Sequence, residues 1–300
     1  MDEPGFTRLA NCKVAIVGLG LMGGSLALAL RGRCREIVGV SRSPETINFA
    51  LTHGIIDREA SFEASLDCDL LVLAAPVRTI LAQLSQLAQS AIHNPTPLRS
   101  GDYSQQPTIV IDLGSTKTQI VSAMQSLPLR FDPIGGHPMC GKESSGITNA
   151  EATLYQGKTF VLTPLPRTSP AALVLAHELI AVIGSVPFVL PAEEHDALVA
   201  VTSHLPYLAA TTLMRAAQML DDPRLWKVAA SGFRDTSRLA ASDVTMMLDI
   251  LLTNRAAILN ALTLYIEELD LLAAMIDTGD PDELRAALEP SQAKRSELFK

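Results

Sequence analysis

The first 190 residues alternate between short apolar, β-branched runs and stretches with helical spacing. KVAIVG (13–18) and EIVGVSR (36–42) read as strands, as do the more fully apolar DLLVLAAP (69–76) and TIVIDL (108–113). Between them SLALALRG (25–32), 45–53 and 77–91 carry the helical pattern, and FVLTP (160–164), 169–184 and SVPFVL (185–190) add strand, helix and strand. Buried strands alternating with helices predict a parallel, doubly wound α/β sheet with helices on both faces. The polar, proline-rich stretch 93–107 interrupts the alternation and reads as a surface excursion.

Past Pro191 the strand signals stop. Residues 192–219, 222–230, 242–252, 254–277 and 281–289 read as helices, several apolar on more than one face, and such helices need cover on two sides. The expected organisation is a dinucleotide-binding domain over 1–190 and an all-α domain over 191–300 that pairs with a second copy as a homodimer. A compact monomeric bundle satisfies the same pattern.

Composition narrows the function classes. A 300-residue chain with 48% apolar residues has material for two cores. Its net charge of −8 argues against a nucleic-acid surface, which needs a basic face. The acidic start, MDEPGFTRLANC, lacks the apolar segment of a signal peptide, and no apolar run approaches the ~18 residues of a membrane span. Cys12, Cys34, Cys68 and Cys140 are scattered without metal-ligand spacing, which suits reduced thiols in a cytoplasm. His177-Glu178 lacks the second His of a zinc helix, so no metal is expected.

The chemistry begins at Gly18-Leu19-Gly20-Leu21-Met22-Gly23, a GxGxxG run placed between a strand and a helix. In a Rossmann-like fold the first Gly makes the turn, the second lets backbone approach a pyrophosphate, and the third lets helix and strand pack. Strand two ends in Ser41-Arg42-Ser43, where NAD-selective sites place a carboxylate; its absence, with a guanidinium present, favours NADP. Ala75 and Pro76 end the 69–76 strand on the nicotinamide side. After 108–113 comes Gly114-Ser115-Thr116-Lys117, where Ser115 reads either as a helix N-cap or as a ligand group, and Lys117 as a cation that binds substrate.

His137 is the leading catalytic candidate. It sits in RFDPIGGHPMCGKESSG, where Gly135, Gly136 and Pro138 predict a loop that presents the ring to a cleft. Two further stretches carry polar groups in helical surroundings. In Thr202-Ser203-His204-Leu205-Pro206-Tyr207 the proline should disturb the helix near His204; Ser231 to Arg238, between helices, offers Arg234 and Arg238 as an anion clamp. If a substrate carries an ammonium, Glu143 or Asp235 could accept from it.

In order and spacing, GLGLMGGSLA, DLGSTK, GGHPMCG, SHLP and GFRDTSR resemble the prephenate and arogenate dehydrogenases of tyrosine biosynthesis, over about residues 13–275. Cys140 and the 93–107 insertion depart from the family pattern. The resemblance implies an NAD(P)-dependent oxidative decarboxylation in which His137 meets the ring hydroxyl, Ser115 assists, and His204 and Arg238 lie at the substrate. The SR ending of strand two looks like the NADP-preferring, arogenate-using members of cyanobacterial type. Two rivals fit less well. A β-hydroxyacid dehydrogenase would carry a GxxxKxxxN pattern, which is missing, and a non-enzymatic NADPH sensor has no use for His137, Ser115 and Arg238 together.

Overall fold

The computed structural model describes residues 8–93, 107–142 and 144–299. Its centre is one eight-stranded sheet of β1 (Lys13–Val17), β2 (Glu36–Val40), β3 (Arg58–Glu59), β4 (Leu70–Leu73), β5 (Thr108–Asp112), β6 (Phe131–Pro138), β7 (Thr159–Pro164) and β8 (Val186–Val189). The order is β3-β2-β1-β4-β5-β6-β7-β8, and only β6 and β7 run antiparallel. The chain winds outward in both directions from β1, which makes the gap between β1 and β4 the switch point of a doubly wound sheet. Alternate residues of β1 feed two separate cores: Val14 and Ile16 pack with Leu26, Leu30 and Leu179, while Ala15 and Val17 pack with Leu71, Ile80 and Leu84.

The Gly/Pro segment around His137 is not the loop expected from its sequence. It is β6, an eight-residue strand between β5 and β7. Its glycines permit close packing. A Cβ on Gly136 would stand 2.6 Å from the carbonyl oxygen of Asp112 and 3.0 Å from Phe160. Glycine here marks close approach of backbone within a sheet, not a turn. Most of the 93–107 excursion, and Glu143, lie outside the described residues.

Beyond β8 the chain is helical. Ala192–Val199, a π-helical turn Ala200–His204 and Leu205–Met219 form one continuous rod over the expected 192–219. Pro206 does not break it, because the wide π turn immediately before absorbs the missing hydrogen bond. This rod contains an 18-residue window of mean hydropathy 1.3, long and apolar enough to cross a bilayer, against the expectation that no run approached that length. It nevertheless carries Glu193, Glu194, His195, Asp196 and His204, three of which are buried against polar partners. Ser231–Ser237 is a helix, not the open connection expected, and Arg238–Ala241 continues it as a tight turn. Val244–Thr253 and Arg255–Thr278 follow, and Pro281–Leu298 runs well past residue 289 through Pro290. Leu248, Leu252, Leu259, Leu264, Ile266 and Leu269 of the first two are exposed.

The turn after β1 depends on its third glycine. A Cβ on Gly23 would meet the carbonyl oxygen of Gly18 at 1.8 Å, whereas one on Gly20 meets nothing within 4 Å. Gly23→Ala should therefore cost about 1–3 kcal/mol of stability, and Gly20→Ala should stay within about 1 kcal/mol of the parent; denaturant unfolding of both variants measures the difference.

Candidate active site

The carboxyl ends of β1, β4, β5 and β6 lie on one edge of the sheet. At β1, Gly18 has φ of 103°, donates its N–H to Val40 at 2.9 Å, and lies so close to β4 that a Cβ would stand 2.4 Å from the Ala74 oxygen. Gly20 begins the helix Leu21–Leu30 with no side-chain cap, so the first N–H groups point at the edge where a phosphate would be held. The Leu19 side chain is buried in the core, leaving only its backbone for a ligand. Tyr155 secures the turn from behind, donating from Oη to the Met22 carbonyl at 2.7 Å.

At the end of β2, Arg42 is exposed. Ser41 Oγ accepts from the N–H of Ser43 at 3.2 Å, and Ser43 Oγ caps the helix Pro44–Thr52 by accepting from Thr46 N at 3.1 Å. The Ser43 hydroxyl is therefore committed to the helix, and Arg42 is the exposed side chain at this strand end. Ala75 and Pro76 follow β4 and precede the helix Val77–His93.

His137 occupies the far end of β6, half-buried, and its Nδ1 lies 2.8 Å from Nε2 of His195. His195 Nδ1 is in turn 2.9 Å from Oδ1 of Asp196. Asp196 also accepts from the backbone N–H of Lys117 at 2.7 Å and of Thr118 at 2.9 Å. Burial would raise the Asp196 carboxyl, but these hydrogen bonds, from His195, Thr118 and Lys117, hold it below the usual carboxylate range. Ionised, it only accepts, so His195 Nδ1 donates to it. When Nδ1 carries the only proton of His195, its Nε2 accepts from His137 Nδ1, which leaves the lone pair of His137 Nε2 free. Burial keeps His137 well below its ordinary pKa, helped by His195, Lys117 and His204. The geometry thus presents an unprotonated imidazole with a fixed tautomer.

Lys117 departs from the expected substrate-facing cation. Its side chain is wholly buried, donating from Nζ to the Asp112 carboxylate and to the Gly136 carbonyl at 2.7 Å. Ser115 lies just beyond β5, half-buried, and is not the cap of the next helix, which begins at Thr118 with Lys117 in the capping position. His204 is buried between helices, not open to solvent. Asn254 Nδ2 donates to the backbone oxygen of Asp196 at 2.7 Å and sits 3.3 Å from His204 Nδ1, so His204 accepts there and carries its proton on Nε2. Burial lowers its pKa to about 4. Arg234 pairs with Asp235 at 3.5 Å on an open helix, and Arg238 is exposed at the end of the same helix.

Two residues of the cluster, His195 and Asp196, went unread in the sequence. They sit in PAEEHDALVA, where an acidic first turn passes as ordinary helix-end charge. The signal was the apolar company: Asp196 and His195 fall on the face that also holds Ala192 and Val199, all buried.

The chain matches a family model described as prephenate dehydrogenase, nucleotide-binding domain, over residues 26–189, and one described as prephenate dehydrogenase, dimerization domain, over 191–290. It is 33% identical over 278 residues to a prephenate dehydrogenase of Bacillus subtilis, covering 90% of this chain and 72% of that one. Among solved structures it is similar to prephenate dehydrogenase from A. aeolicus in complex with hydroxyphenyl propionate and NAD+, with a TM-score of 0.85, 33% identity, and coverage of 97% and 99%. It is also similar to Synechocystis arogenate dehydrogenase, with a TM-score of 0.78, 31% identity, and coverage of 95% and 99%. With a GxGxxG turn after β1, His137 near the carboxyl end of β6 on the same sheet edge, and these relatives, the chain belongs to the prephenate dehydrogenase family.

Proposed function

We propose that this protein oxidatively decarboxylates arogenate to tyrosine with NADP as hydride acceptor, as a cytoplasmic homodimer joined through its helical half. The observation that carries the reaction is the line His137–His195–Asp196, which leaves one imidazole nitrogen bare on the sheet edge that also carries the dinucleotide turn. A nicotinamide cofactor held at the Gly18–Gly23 turn would supply the hydride acceptor for the ring carbon that bears the hydroxyl. His137 Nε2 takes the hydroxyl proton while its Nδ1 stays hydrogen-bonded to His195, which Asp196 orients. Loss of the ring carboxylate as carbon dioxide completes an aromatic ring, which drives the step. Ser115 borders the same edge as a second hydrogen-bonding group for the hydroxyl, and Arg238 and Arg234 supply guanidiniums for the substrate carboxylates. His204, with its proton on Nε2, is a neutral donor.

NADP is favoured by Arg42 at the end of β2 with no carboxylate among Ser41, Arg42 and Ser43. Arogenate is favoured by the same strand-two ending, by Asp235 as an acceptor for its ammonium, and by the likeness to the Synechocystis enzyme. Prephenate is the second reading, favoured by the Bacillus and A. aeolicus relatives. The dimer is supported by the exposed leucines of the last helices and by the matched dimerization domain. Four free cysteines agree with a reducing compartment.

Reduced cofactor formation, followed with arogenate and prephenate separately and with NADP and NAD separately, tests this reading. Arogenate with NADP should give the highest kcat/KM, and Ser41→Asp with Arg42→Ala should shift preference toward NAD. Better turnover of prephenate would replace the substrate assignment, and a parent preference for NAD would replace the cofactor assignment.

A second experiment addresses the base. His137→Asn should lower kcat about 10²-fold or more while cofactor binding is unchanged, and His195→Phe should give a smaller loss. The base works unprotonated and its pKa is depressed, so parent activity should fall on the acid side only below the ordinary histidine range near ~6.5. An acid limb that persists in His137→Asn would assign the proton acceptor to another group.

A further inference from the structure

Parallel pairing of β5 with β6 ends at Ile111 and Ile134, short of His137. Gly136, one residue before it, still needs partners for its N–H and its C=O on the β5 side. Two side chains provide them. The Asp112 carboxylate accepts from Gly136 N at 3.0 Å, and Lys117 Nζ donates to Gly136 O at 2.7 Å. The same carboxylate takes the Lys117 ammonium and the N–H of Gly114 at 2.8 Å. Lys117 also reaches the other end of the histidine line, because its backbone N–H donates to Asp196 Oδ1, the oxygen that faces His195.

We propose that Lys117, held by Asp112, is a positioning residue for the base, fixing the strand end that carries His137 and the carboxylate that anchors His195 in one rigid frame without binding substrate. The inference rests on His137 being the base. Neither Lys117 nor Asp112 has solvent exposure. Stability alone does not call for such a pair, since an apolar pair of similar volume generally serves a core as well or better. An apolar pair would leave both polar groups of Gly136 unmet and would place no charge near the ring. The charged and titratable groups facing His137 are His195 and Asp196 from the helix Ala192–Val199, His204 from the π turn, and Lys117 with Asp112 from the β5 side. Among these Lys117 is the fixed cation, and its charge opposes protonation of the ring.

The test is kcat against pH for the full-length parent, Lys117→Met, Lys117→Gln and His137→Asn, with KM for both ligands and melting temperature recorded. Lys117→Met should lower kcat roughly tenfold or more, as small misplacements of a reacting group do, with little change in KM, and its acid limb should move to higher pH because a facing positive charge is gone. Lys117→Gln keeps a donor for Gly136 but not the charge, so it should recover part of kcat while its acid limb stays shifted. If Lys117→Met does not fold, Lys117→Gln alone decides. A raised substrate KM with kcat intact would make Lys117 a binding group and overturn the proposal, as would an acid limb unmoved in both Lys117 variants but abolished in His137→Asn. A limb that survives in His137→Asn would instead refute the assignment of the base on which the inference rests.

Discussion

Asp196 is the constraint on which the rest of the site depends. It comes from the helical half, yet its carboxylate satisfies the backbone N–H groups of Lys117 and Thr118, the start of a helix in the sheet half. A carboxylate there compensates donors that a buried helix terminus cannot leave unmet. Its remaining acceptor capacity goes to His195, which sets the proton positions along the line to His137. Docking the two halves and orienting the His137 ring are therefore one event. Thr116 with Thr253 at 2.9 Å, and the Arg78 N–H with Asp249 at 3.1 Å, brace the same junction.

The sheet places the cofactor turn and the base together by its topology. β6 runs parallel to β5, so its far end points to the edge where β1 and β4 end in Gly18 and Ala74. The reversal at β7 brings the chain back along β6 and packs Phe160 and Leu162 beside the glycines. Between β6 and β7, segment 147–155 crosses to the helix Leu21–Leu30, where the Glu151 N–H donates to Ser25 at 2.9 Å and Tyr155 holds the Met22 carbonyl. The strand that carries the base and the turn that would hold the pyrophosphate are thus linked by short covalent and hydrogen-bonded paths.

Much of this was legible in the chain. The strands 13–18, 36–42, 69–76 and 108–113, their helices, and the dinucleotide turn follow from runs whose burial on both faces leaves one reading. His137 was visible because it is an imidazole set directly between Gly136 and Pro138, but its strand was not. Gly135, Gly136 and the two prolines carry turn propensity, and only contact with Thr163, Leu162 and Asp112 makes them a strand. Lys117 read as a ligand group because a lysine beside a strand end is normally exposed. Its burial depends on Asp112 and Gly136, partners that the fold, not the local sequence, brings near. His195 and Asp196 were hidden for the same reason, since their partners are 58 and 79 residues away.

The central claim is a tautomer: in the resting protein His137 carries its proton on Nδ1 and presents a bare Nε2. Nitrogen-15 NMR of the histidine side chains at neutral pH reads this directly, with His137→Asn and His195→Phe used to assign the signals. The account predicts neutral rings at both positions, each protonated on Nδ1. A His137 ring protonated on Nε2, or charged at neutral pH, would contradict it.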